Sequence, residues 1–566
     1  MDAVDGTAML ADLTTIARWT KYPGTPDELE SLRYLEARAA GMGLRTAILF
    51  HDAYISLPGS ATVEIPGDSM ECITHSFSLS SPKDGLRGDL VYVGKGMPAD
   101  LRGIDLAGRI AVVDGLATPA VANRLRHAGA AGHLHVSPDE HRHEMTLSPV
   151  WGNPGLETRQ QLPRTVACTV SGPDGARLKA RLAAGEKIEI VMHADVDTGW
   201  RQIPMLIADL DPIAPADGSY VLFSGHHDTW HYGVMDNGTA NVTMLEVARI
   251  AAANRRHLRR GLRLAFWSGH SQGRYAGSAW YADNFWDDLE RNCVLHVNID
   301  STGGRGNHDF VSLSGPELWK TAEVVMEEVS GEPIHVKRLG RFGDQSFWGI
   351  GIPAILAFGE QPVSSGMHEH FPHPLGWWWH TEGDTLDKID ADVLVRDARF
   401  YANIVLRALC DAILPFDFSG AARELHDALE DIAKDLVRWM DIAALTSRAA
   451  LLDQLVGKVS VAAGKTDSET TLNTINATLV AIARALVPIQ FTTGDRFEPD
   501  PALQQPPFPA LAPLHHLAAV EEDGDRRRFA TVDARRAHNR VLHALDCAIA
   551  ATTSCLEKIE TEKQVG

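Results

Sequence analysis

The chain has 566 residues, more than one hydrophobic core supports, so about three domains are expected. It is 45% hydrophobic and 22% charged, as soluble globular proteins are, and no unbroken apolar run of about 18 residues is present to cross a bilayer. With 53 Lys plus Arg against 74 Asp plus Glu the net charge is -21, which argues against nucleic acid and membrane partners and for a small-molecule or peptide substrate.

The N-terminus opens with Asp2 and Asp5 and no basic stretch followed by an apolar core, so no secretory signal is expected and the location reads as cytoplasmic. Residues from Thr25 to Met42 place Leu29, Leu32, Leu35 and Ala39 on one face, predicting a helix that packs on something larger. Between Leu86 and Val191 short β-rich runs (Leu90–Val93, Ile110–Val113) alternate with Gly-rich turns and an alanine-rich helix ending in Ala128–Gly132, predicting a separate module. From Tyr220 to about Ile413, strand-like runs (Val221–Phe223, Leu262–Phe266, Val294–Val297) alternate with helices such as Asn241–Ala253. That pattern predicts an α/β fold, its sheet covered by helices on both faces. Beyond about Gly420 helical periodicity dominates, interrupted by the Pro-rich stretch from Pro499 to Pro513. The six cysteines are scattered without a C-x-x-C pair, so any metal is expected on His and carboxylates.

Three loops carry residues suited to that chemistry. His226 ends a predicted strand, Asp228 follows two positions on, and Asp236 comes eight further, before a helix. Asp300 ends another apolar strand, and His380 follows three tryptophans, with Asp384 close behind. Side chains at the carboxyl ends of strands in such a sheet converge on one crevice, and neutral imidazole with carboxylate suits zinc. A lone H-x-D is more often ordinary loop polarity; the three loops together favour a metal centre.

These segments, in this order, resemble the zinc-dependent aminopeptidase and carboxypeptidase family that includes glutamate carboxypeptidase II. The runs Gly88–Gly94 and Asp100–Gly108 resemble the family's inserted protease-associated domain, and the helical tail resembles the dimerisation domain shared with the transferrin receptor. The resemblance implies a peptidase-like domain in residues 1–60 and 196–415, a protease-associated domain in 61–195 and a helical dimerisation domain in 416–566. It also implies that His226 and Asp300 bind one ion, Asp236 bridges, His380 binds a second, and Asp228 backs His226. A homodimer is expected, with the stripe Leu425, Leu429, Ile432, Leu436 and Met440 as its apolar face.

The chain departs from the family at one place. Where the pattern has two adjacent glutamates, framed here by Trp267, Gly273, Gly277 and Ser278, it has His270 and Ser271. His270 takes the place of the general base, and an imidazole can accept a proton near pH 7 or bind metal itself. Ser271 takes the place of a ligand to the second ion, for which a hydroxyl is poor. The cofactor expected is therefore a divalent metal, zinc foremost, as one or two ions per chain. Trp379 is expected to wall the substrate pocket and Arg341 to pair with a substrate carboxylate. His368, His370, His373, Glu360 and Glu369 are alternative ligands, the three histidines being more simply read as lying on a solvated loop. The function expected is hydrolysis of an amide or peptide-like bond in a small substrate, with metal-bound water as nucleophile and His270 as base. The alternatives are a receptor-like binding protein without chemistry, and a metal-assisted lyase.

Overall fold

The structure is a computed structural model describing residues 3–213, 217–331, 334–362 and 374–565. Among the described residues thirteen strands join in one sheet. They are β1 (Arg45–Ile65), β2 (Asp68–Thr74), β3 (Leu86–Tyr92), β4 (Ile110–Asp114), β5 (Gly132–Val136), β6 (Val166–Val170), β7 (Glu189–Leu210), β8 (Tyr220–His226), β9 (Gly261–Trp267), β10 (Cys293–Asn298), β11 (Asp309–Ser314), β12 (His335–Arg338) and β13 (Ala354–Glu360). The order is β1-β2-β6-β5-β4-β3-β7-β9-β8-β10-β13-β11-β12.

The central strands β9, β8, β10 and β13 run parallel, which brings their carboxyl ends to one edge. Parallel strands need both faces covered. The helices Ala240–Ala253 and Ala391–Cys410 pack on β8, and the first of them also on β9. The helix Pro26–Gly41 begins as its sequence predicts: the Thr25 hydroxyl accepts from the Glu28 amide, and Pro26 occupies the first turn, where its missing N–H is not needed.

The two longest strands, β1 and β7, were not expected. They pair antiparallel from Arg45↔Asp209 to Glu64↔Val191, with an irregularity between Pro58 and Ala61. Their far ends lead into β2 to β6, whose path returns to β7, so this β-rich module has its own core of Ile110, Val112, Leu134, Val166 and Cys168.

Three histidines are buried in that module. His135 Nδ1–H donates to the Gly115 carbonyl at 3.2 Å, which leaves its Nε2 as an acceptor. His133 therefore donates from Nδ1 to His135 Nε2 at 2.9 Å and accepts at Nε2 from the Thr165 hydroxyl at 3.0 Å. His75 pairs with Thr169 alongside at 2.7 Å. The His133–His135 link requires a lone pair on His135, and burial pushes His75 down to about 3, His135 to about 4 and His133 well below the ordinary range.

The C-terminal region is helical. Helix Phe418–Leu436 packs on Ala443–Ala463, and both Ala443–Ala463 and Glu469–Phe491 pack on the long helix Asp525–Val565. Leu425, Leu429, Ile432, Leu436 and Met440 are all buried in this packing, so the stripe expected to face a second subunit is consumed within the chain. Helix Glu469–Phe491 is long and apolar enough to cross a bilayer, with mean hydropathy 1.4, which run length alone did not reveal. Because 56% of that window is buried against the rest of the chain, it reads as a core helix.

Candidate metal centre and active site

The strand ends deliver the site. β8 ends at His226, and the turn after it brings Asp236 to 3.0 Å from His226 Nε2. The Asp384 carboxylate holds that turn, accepting from the Met235 and Asp236 amides at 2.8 and 3.0 Å. Just beyond β10, Asp300 lies 3.6 Å from His226 Nε2, and His380 Nε2 lies 3.1 Å from the other oxygen of Asp236. The four expected ligand positions thus converge.

Their tautomers follow from their partners. His226 Nδ1–H donates to the Asp228 carbonyl at 2.7 Å and His380 Nδ1–H to the Glu144 carbonyl at 2.6 Å. Both Nε2 atoms are then lone pairs aimed at carboxylates, and His226 Nε2 is buried with no hydrogen-bond partner. An acceptor facing acceptors in a buried place calls for a cation between them. The proton equilibria agree. Burial opposes charge on His226, yet Asp300 and Asp236 raise its proton affinity well above the usual imidazole value. Burial likewise opposes ionisation of Asp236, but His226 and His380 hold it well below the usual carboxylate range. His226, Asp236 and Asp300 are a donor set of the kind that could hold a divalent ion, since neutral imidazole and carboxylate suit zinc. On the other side of Asp236 stands His380, with Ser271 in the lining of the same cleft.

β9 ends at Trp267, and the chain turns through Gly269 to His270. Gly269 has φ 76°, and an added Cβ would lie 3.1 Å from atoms of Ala276, Ile203 and Ile55, so a side chain there would be strained. His270 Nδ1–H donates to the buried Asp344 carboxylate at 2.8 Å, and the Ser278 hydroxyl donates to the other Asp344 oxygen at 2.7 Å. Burial opposes the charge on Asp344, but His270 and these hydrogen bonds keep it below the usual carboxylate range.

Ligand atoms of His226, His270 and Asp300 lie within 4.8 Å of one another. The rings of His226 and His270 stack with centroids 3.9 Å apart and planes 16° from parallel. Two imidazoles bound to one tetrahedral ion at about 2.0 Å diverge and hold their ring centres roughly 5 Å apart. In this structure the His270 ring stacks beside that of His226, closer and more nearly parallel than that arrangement.

Asp228 acts differently from its expected role. It holds His226 through its main-chain carbonyl, while its carboxylate, 3.8 Å from His226 Nδ1, accepts the His270 amide at 2.9 Å. Burial pushes that carboxylate up to about 6. Trp379 walls the cleft and stacks on His380 with centroids 3.5 Å apart. Arg341 also reaches the cleft wall, but its guanidinium donates to the Phe491, Asp500 and Pro501 carbonyls and lies over Trp151 and Trp348, so it ties down the Pro-rich stretch. Glu360 lines the cleft; His368, Glu369, His370 and His373 lie outside the described residues.

Sequence reasoning missed three contributors. Asp344 is an ordinary loop acid until the fold brings it to His270. Glu144 acts through its carbonyl, for which no residue type is a signal. Lys21 is buried, donates to the Trp19 and Tyr232 carbonyls, and is pushed down to about 8 by burial against the pull of Asp384, Asp228 and Glu28. The cleft, about 1270 Å³, runs from this centre between the β-rich module (Ser137, Thr146) and the Pro-rich stretch (Ala502, Gln504).

Residues 206–405 match the model of peptidase family M28. A probable glutamate carboxypeptidase of Zea mays is 24% identical over 543 residues, covering 81% of this chain and 73% of its own length. An aminopeptidase from Aneurinibacillus sp. strain AM-1 has TM-score 0.56 and 22% identity, covering 72% of this chain and 95% of its own. A zinc aminopeptidase from Bacillus subtilis has TM-score 0.55 and 17% identity, covering 72% and 96%. At such identities the structural likeness shows the fold, a mixed sheet with flanking helices. The family match bears out the resemblance read from the sequence and the enzyme class it implies.

Proposed function

We propose that this chain, whose residues 206–405 match peptidase family M28, is a single-metal hydrolase of an amide or peptide-like bond in a small substrate, with His270 as general base. The observation that carries the reading is the His270–Asp344 pair: the carboxylate fixes the proton on Nδ1 and leaves Nε2 free as a base beside the ligand cluster. His226, Asp236 and Asp300 would hold one divalent ion, zinc foremost; such an ion polarises a carbonyl and acidifies water when bound.

The rest of the chemistry belongs to the chain. His270 accepts a proton at Nε2 from the attacking water, Asp344 stabilises the resulting imidazolium, and His270 returns the proton to the leaving nitrogen. Trp379 limits solvent on the His380 side. The parallel stacking of His270 on His226 favours base over ligand for His270. Four retained ligand positions speak against a receptor-like protein without chemistry. We further propose that the β-rich module of residues 61–195 is a protease-associated domain, and that residues 416–566 form a homodimer through surfaces other than the buried leucine stripe.

The test is turnover of dipeptides, N-acyl amino acids and aryl amides by metal-loaded protein. Hydrolysis of at least one class, lost in His270→Ala, is expected; metal bound without turnover of any class contradicts the reading.

A further inference from the structure

Behind His270 the hydrogen bonds continue past Asp344. The Ser278 hydroxyl has one proton and gives it to Asp344 Oδ1 at 2.7 Å, the Tyr275 carbonyl being a longer alternative at 3.3 Å. Toward Ser346 Oγ, 2.9 Å away, Ser278 Oγ is therefore the acceptor. Ser346 Oγ accepts in turn from Trp151 Nε1–H at 2.9 Å, and an indole nitrogen can only donate. Every proton in the series points the same way, from Trp151 through Ser346 and Ser278 to Asp344. His270 Nδ1–H occupies the other oxygen, so the carboxylate meets a donor on each side.

The series joins separate parts of the chain. Ser278 lies on the helix Ala276–Asn284 that follows the His270 turn, while Trp151 comes from the segment between β5 and β6 of the β-rich module. Trp151, Ser278 and Asp344 are all buried. The indole packs in the main core rather than in the module's own, its centroid 4.4 Å from that of Tyr275. Its segment is closely seated. The Gly152 amide donates to the Arg274 carbonyl at 2.6 Å, and a Cβ on Gly152 would lie 2.4 Å from that of Ala279. Aligned donors polarise one another, and a carboxylate bonded through both oxygens is held against rotation.

We infer that Ser278, Ser346 and Trp151 are positioning residues for His270, holding the Asp344 carboxylate in the orientation that keeps a proton on His270 Nδ1 and a lone pair on Nε2. A loop of the β-rich module thereby sets the base, and the seating of that loop is coupled to the competence of the site. The inference rests on the hydrolase reading for what the base does, but its test does not require turnover.

The probe is the His270 Nδ1–H resonance, observed by NMR of zinc-loaded, full-length protein carrying isotope-labelled histidine and assigned by its absence from His270→Ala. Wild type is compared with Ser278→Ala, Ser346→Ala, Ser346→Thr and Trp151→Phe after melting curves show that each is folded. Wild type should show a low-field resonance that exchanges slowly with water. Ser278→Ala, Ser346→Ala and Trp151→Phe should shift it and speed its exchange. Ser346→Thr keeps the hydroxyl at a partly exposed position and should restore it. On any substrate turned over, kcat should fall about 10-fold in Ser278→Ala and about 3-fold in Ser346→Ala and Trp151→Phe, with KM unchanged. If Ser278→Ala does not fold, the two Ser346 variants decide. No such resonance in wild type, or one unmoved in Ser346→Ala or Trp151→Phe, overturns the inference; so does Ser346→Thr behaving as Ser346→Ala. Shifts reversed by threonine in a protein that hydrolyses nothing support the positioning role while the hydrolase reading falls. Hydrolysis with kcat unchanged in both alanine variants leaves the hydrolase reading standing and overturns this one.

Discussion

The histidine chain behind the cleft wall makes the β-rich module acid-sensitive by a calculable amount. Thr165, His133, His135 and Gly115 form a directed series of hydrogen bonds in which each imidazole has one N–H and one lone pair. A further proton on His135 would set donor against donor at His133, and one on His133 would place a charge in the same buried site. The folded values are depressed, so the unfolded chain binds protons first, and stability present above about pH 6.5 is lost as pH falls toward the folded value of about 4 for His135. Between pH 7 and pH 5 each such histidine removes about 2 kcal/mol, and His133 with His135 about 4 kcal/mol. Glutamine can donate and accept at both positions but cannot titrate. His133→Gln/His135→Gln should therefore lose about 4 kcal/mol less than wild type over that range. For a cooperative unit of 150–250 residues this is about 8–16 °C in melting temperature. Melting curves at pH 7, 6 and 5 measure it, and any cost of the substitutions at neutral pH cancels in the difference. Equal pH dependence in the two proteins would refute the reasoning.

At the active site, His270→Ala should reduce kcat by about 10²- to 10⁴-fold with the fold and bound metal intact, as steady-state rates and metal analysis would show. Asp344→Asn removes the charge behind His270 and should lower kcat by about 10- to 100-fold with KM little changed; unchanged kcat would remove Asp344 from the account. Ser271→Glu restores a carboxylate on the His380 side and should add a second ion per chain. It should also melt lower in chelator than in zinc, because a further negative charge beside Asp236 needs a cation. If it binds no extra metal, Ser271 is not at that position.

Where a local pattern decides the structure, the sequence was readable. Thr25-Pro26 opens its helix as capping chemistry requires, and the apolar runs ending in His226 and Asn298 are buried parallel strands. His226, Asp236, Asp300 and His380 could be found because strand ends in such a sheet gather at one edge. The long strands β1 and β7 escaped because their alternation is irregular and their partners lie far away in sequence, as in Ala53↔Arg201. Arg341 misled for a related reason: its residue type suits a carboxylate, but the fold spends it on main-chain carbonyls. The leucine stripe had the correct period, yet periodicity cannot say whether the partner is another helix of the same chain or a second subunit.

The central claim is a single catalytic ion held by His226, Asp236 and Asp300. Elemental analysis of full-length protein, dialysed against zinc and freed of loosely bound metal, tests it most directly. The account predicts about one ion per chain, lost in His226→Ala and retained in His270→Ala. No tightly held metal, or two ions per chain in the wild-type protein, would contradict it.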